Sequence, residues 1–211
     1  MTQDELKGDV IAYVPVASTA CGLPQVVVNP VTIRDMEEAG SAGIGVILAH
    51  EFAHTCPGNG SSNMVTITAS DGAEYIISGR FVFRSNGEMF PILEEVFASL
   101  VALNSIIDDS NFKEYGSFRD VPEMEGLAYR GYIEGLEETL WNFGYDISPY
   151  ELARLFVITA DKEYPLQEIA TQLDNYYSGD LTTRDFDIFR VLIEYTIFIY
   201  LLLNNNSNCC N

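Results

Sequence analysis

Histidine and positive charge are what this sequence has least of. Two histidines occur in 211 residues, and 11 Lys and Arg stand against 31 Asp and Glu, a formal net charge of −20. That balance argues against a nucleic-acid partner, whose phosphates reward Lys and Arg, and against adhesion to an anionic bilayer. It is compatible with cationic peptide substrates, although an acidic surface most simply serves solubility. Cysteine is sparse: Cys21, Cys56, Cys209 and Cys210 form neither a CxxC pair nor a zinc-knuckle spacing. Adjacent cysteines in the polar run NNNSNCCN rarely close on each other, so no disulfide framework is expected. Long apolar runs are missing as well. The most apolar stretch, Val191 to Leu203, is interrupted by Glu194 and too short to span a bilayer, and MTQDELKGDV is not a secretory leader. These absences predict no membrane insertion and a cytoplasmic location for the sequence as given, or an extracellular one if it is cut from a longer chain. They leave the oligomeric state open.

What is present points to a globular protein. Hydrophobic residues make up 47% of the chain, enough to bury a core without staples, and the length suits one domain over 1–211. The organising stretch is VILAHEFAHT, residues 46–55, which holds both histidines in the pentapeptide HEFAH: His50, Glu51, Phe52, Ala53, His54. Residues four apart on a helix project from one face, so the two imidazoles converge on one point. Two neutral imidazoles with a carboxylate between them are the makings of a zinc site with its general base attached. Ile44, Val46, Ile47, Leu48 and Phe52 make the helix apolar on most sides and predict its burial. Gly40, Gly43 and Gly45 match no phosphate-binding spacing and are expected to let that helix pack closely on its neighbours.

Around the motif the pattern predicts an α+β arrangement. Residues 9–15 and 25–28 read as short strands, and Thr32 with Asp35 has the form of a capping box opening a helix that ends at Gly40. Pro57-Gly58-Asn59-Gly60 stops the motif helix. Residues 65–68 form a strand, Asp71-Gly72 a turn, and the return strand runs from Tyr75 through Phe83 to a turn at Asn86-Gly87. Pro91 then opens a helix through LEEVFASLVAL. Helices follow at 122–142, 149–159, 165–177 and 183–203. The expected division is an α/β part over 1–90, a helical part over 91–203 and a disordered tail over 204–211.

A catalytic zinc needs a third protein ligand, and with no histidine left a carboxylate must supply it. Glu95 in LEEVFAS is the expected ligand, on a helix able to pack across the motif helix after one hairpin. Glu94 points about 100° away on that helix, and it and Glu125 are the alternatives. Cys56 reads as a partly buried thiol, since it would have to double back to reach the metal.

The order HEFAH, hairpin with Ser78-Gly79, LEEVFAS and then a Tyr-rich helix resembles the gluzincin branch of the zinc metallopeptidases. It is most similar to uncharacterised bacterial members whose second motif runs Glu, two apolar residues, then Thr or Ala. The resemblance spans roughly residues 25 to 140. It implies a zincin-like fold, Zn2+ held by His50, His54 and Glu95, Glu51 as general base, and a peptide or protein substrate. Where some gluzincins carry an acid four residues after the ligand Glu, this chain has Ser99, whose hydroxyl can still accept an imidazole N–H. With no spare histidine, Tyr129 and Tyr132 are the expected oxyanion donors, with Tyr115 behind them. The strand at 25–28 is the expected edge for an extended substrate. The alternative function is a catalytically inactive metallopeptidase-like binding or regulatory module.

Overall fold

A computed structural model describes residues 12–13, 26–41, 43–55, 64–68, 72–90, 92–160, 162 and 165–177. The chain is α+β and mostly helical. Strands β1 (Ala12–Tyr13) and β2 (Val27–Val28) pair antiparallel as a small separate ribbon. Helix α1 (Pro30–Glu38) starts earlier than the Thr32 capping box predicts. Asn29 is the N-cap, its side-chain oxygen accepting from the N–H groups of Val31 and Thr32, and Pro30 fits the first turn because it has no N–H to leave unpaired. Gly40, at φ +69, then turns the chain in a conformation that a side chain disfavours. Ser41 accepts from the Gly43 N–H, and helix α2 (Gly43–Thr55) carries the motif.

The burial of α2 is one-sided rather than general. Val46, Ile47, His50 and Ala53 are buried, whereas Phe52 is 59% exposed. Gly45 is exposed too, and a β-carbon there would meet nothing within 4 Å, so it serves no close packing. At these two positions the expectations from the sequence are corrected: the apolar count on α2 exceeds what its one buried face requires.

The main sheet has four antiparallel strands in sequential order: β3 (Val65–Thr68), β4 (Glu74–Ser78), β5 (Phe81–Arg84) and β6 (Met89–Phe90). The return strand predicted to run unbroken from Tyr75 to Phe83 is in fact a hairpin. Gly79, at φ +58, reverses the chain, Arg80 completes the turn, and Ser78 pairs with Phe81. Tyr75, Ile77, Val82 and Phe90 bury one face of the sheet, and the Tyr75 and Phe90 rings lie 5.7 Å apart.

Helix α3 (Ile92–Ile106) is the centre of the molecule. Ten of its residues are buried, from Ile92 to Leu103, and it packs against α2, β5 and two later helices. Helix α4 (Asp109–Phe112) follows. The helix predicted for 122–142 is broken: 3-10 turns at Phe118–Asp120 and Pro122–Gly126 precede α5 (Arg130–Asn142). The turn at Pro122–Gly126 packs against α2. Pro122 fixes one end of that turn and the chain is extended at Leu127, so Tyr129 sits at the mouth of α5 rather than inside a helix. Helix α6 (Pro149–Thr159) opens with a complete Ser148–Glu151 capping box, worth about 1 kcal/mol, and α7 (Pro165–Tyr177) packs on it. The core joins α3 to α6 and α7 through Phe97, Leu100, Phe156, Ile169 and Leu173. Among the described residues no helix is long and apolar enough to cross a membrane. The expected helix at 183–203, the tail at 204–211, the stop at Pro57–Gly60, Cys56 and Pro91 lie outside the described residues.

Candidate metal centre

Three side chains converge where α2 crosses the first turn of α3. His50 Nε2 lies 3.0 Å from His54 Nε2, and Glu95 Oε2 lies 3.1 Å from the first and 3.2 Å from the second. Donor atoms around a tetrahedral zinc at ~2.0–2.1 Å are separated by about 3.3 Å, so this triangle already has nearly ligating dimensions. The donor chemistry fits as well, because two imidazoles and one carboxylate are the set that a catalytic zinc takes while leaving a position open.

The outward nitrogens explain why the inward ones are available. His50 Nδ1 is 3.0 Å from the buried Ser99 hydroxyl, and His54 Nδ1 is 3.3 Å from Glu94 Oε1. Both partners can accept an Nδ1 proton, the tautomer that would turn each Nε2 lone pair toward a bound cation. Glu94 is thus corrected from a residue turned away from the site to one that reaches it from behind. The two neighbouring glutamates approach opposite nitrogens of His54. Glu94 is itself backed by Arg80, whose Nε lies 3.0 Å from Glu94 Oε2, both side chains being nearly inaccessible.

Charge follows geometry. Burial pushes the His54 imidazole down, but the carboxylates of Glu94 and Glu95 outweigh it and raise its pKa from 6.5 to about 9. Burial likewise opposes ionisation of Glu95, and the hydrogen bonds from His50 and His54 overcome it, lowering its pKa from 4.5 to about 2.

Two of the three expected tyrosines, Tyr129 and Tyr132, lie beside the triangle. The Tyr129 ring stacks on His50, with centroids 5.9 Å apart and planes 23° from parallel, and its hydroxyl is near enough to Glu95 to feel that carboxylate. Burial, then the charge of Glu95 and more weakly that of Tyr132 and Glu51, pushes its phenol up to about 12. Tyr132 lies 5.5 Å from Tyr129, ring to ring, and burial and Glu95 shift it upward too. Glu51, half-buried on α2, is near enough for its charge to act on Tyr129. Tyr115 packs instead against the hydrophobic core. Glu125, the alternative ligand, is exposed in the 3-10 turn and is not among the converging donors. The ribbon strand expected to receive substrate is β2, and β1 already occupies one of its edges.

Arg80 went unforeseen because its turn was read as strand. The available signal was Gly79 inside an apolar strand pattern, a common mark of a bend. In comparisons with known proteins, no family model, curated protein or solved structure matches this chain.

Proposed function

We propose that this chain is a zinc-dependent peptidase of the gluzincin type, with a zincin-like fold. The observation that carries the proposal is the convergence of His50, His54 and Glu95 at ligating separation, with Glu51 on the helix that supplies both histidines. A zinc ion held by those three would supply the Lewis acid that polarises the scissile carbonyl. Glu51 takes the proton of the attacking water and passes it to the leaving amine. Tyr129 and Tyr132, kept protonated by burial and by Glu95, are the donors for the oxyanion. The Tyr129 ring covers one face of His50, limiting water there.

The test is cleavage of a mixed peptide library by zinc-loaded protein, wild type against Glu51→Gln. The wild type should cleave, lose activity to a chelator and regain it with zinc. The variant should bind zinc equally and react about 10²–10⁴-fold more slowly. Full zinc occupancy with no Glu51-dependent cleavage of any peptide would overturn the peptidase reading and leave a metal-binding module.

A further inference from the structure

The buried ion pair behind the histidines invites a question that the metal triangle alone does not answer. Arg80 is delivered by the tight turn between β4 and β5, and Gly79 at φ +58 makes that turn possible. Its side chain is 5% exposed, its guanidinium carbon lies 5.2 Å from the centre of the Phe97 ring, and its Nε is 3.0 Å from Glu94 Oε2, a close ion pair without the alignment of a hydrogen bond. The other oxygen of Glu94 lies 3.3 Å from His54 Nδ1. Guanidinium, carboxylate and imidazole thus form a chain running from the sheet, through the first turn of α3, to the end of α2.

Stability alone does not call for such a chain. Removing two opposite charges from water costs several kcal/mol per ion before their attraction repays it, and apolar side chains of similar volume commonly serve stability as well. What an apolar pair cannot do is fix the rotamer of a carboxylate so that one oxygen stays on Nδ1. A carboxylate in that position orients the ring and makes its other nitrogen a stronger donor to a cation. We propose that Arg80 is a positioning residue for the metal site, acting through Glu94 to hold His54 in its ligating orientation. This rests on the reading that His50, His54 and Glu95 bind a divalent metal.

The experiment measures zinc affinity by chelator competition, and the visible spectrum of the cobalt-substituted protein, for wild type, Arg80→Gln, Arg80→Lys, Glu94→Gln and the double variant R80Q/E94Q. Arg80→Gln should weaken zinc binding about ten- to a hundredfold and shift the cobalt bands, and Arg80→Lys should recover part of the loss. The double variant, which removes both charges and so stays readable if Arg80→Gln alone folds poorly, should bind zinc no more weakly than Glu94→Gln. A folded Arg80→Gln protein with wild-type zinc affinity and cobalt spectrum would overturn the proposal. So would a double variant whose loss is the sum of the two single losses. Wild-type protein that takes up neither zinc nor cobalt would remove the metal reading beneath it. Tight wild-type binding with Arg80→Gln unchanged would remove only the role of Arg80.

Discussion

His50 and His54 leave the same face of one helix, but the walls behind them are made of different material. Behind His50 stand a hydroxyl, Ser99, and the flat ring of Tyr129, with the imidazole 7% exposed. Behind His54 stand a carboxylate and a guanidinium, and that imidazole is 18% exposed. One wall is neutral, while the other is charged although nearly inaccessible, and the imidazole in front of the charged one is the more exposed of the two. A motif spacing sets where two nitrogens point, but what each nitrogen is worth as a donor depends on residues contributed by other elements, here α3, the β4–β5 turn and the mouth of α5.

The most damaging way to break this comparison is to remove the residue common to both sides. Glu95 touches both inward nitrogens, so Glu95→Ala should lower zinc affinity at least about a hundredfold, as read by chelator competition. Unchanged affinity would show that the triangle is not the metal site. A finer test sets the walls against each other. Glu94→Gln should weaken zinc binding toward the hundredfold end of the range for such partners, and Ser99→Ala toward the tenfold end, because a charged acceptor strengthens its imidazole more than a hydroxyl does. The reverse order would abolish the distinction.

The smallest effect concerns the metal-free protein. His54 has a folded pKa of about 9 against 6.5, so the stability it contributes is fully present below 6.5 and is lost as pH rises through 9. Glu95 has a folded pKa of about 2 against 4.5, so its contribution is present above 4.5 and is lost as pH falls toward 2. Urea midpoints of the chelated protein should therefore be highest between 4.5 and 6.5. Glu94→Gln should bring the alkaline decline to lower pH, while Ser99→Ala should leave its position unchanged.

How much of this was legible in the sequence varies with the kind of interaction. The convergence of His50 and His54 follows from helical period, and the placement of Glu95 from a second apolar helix one hairpin away. The strands at β3 and β4, the turn at Gly87, and helices α6 and α7 were written in alternation, in Asn-Gly and in Ser-Pro. Phe52 was misread because periodicity counts apolar residues without knowing which face is covered. The 122–142 segment was misread because composition favours helix there, and the break depends on Pro122 and on packing against α2. Arg80 was invisible for a stronger reason: a buried arginine is defined by its partner, and Glu94 is brought to it only by the tertiary fold.

The metal triangle takes two corners from α2 and one from α3, and His54 and Glu95 are 41 positions apart in the chain. An ion held there would close that span of chain, with the whole four-stranded sheet inside it, as a covalent cross-link would. Loop-closure entropy grows only slowly with length, but it is removed from the unfolded chain only if the unfolded chain holds the ion too. If it does not, the ion acts as a ligand of the native state alone, and the hold of α2 on α3 scales with the logarithm of free metal concentration.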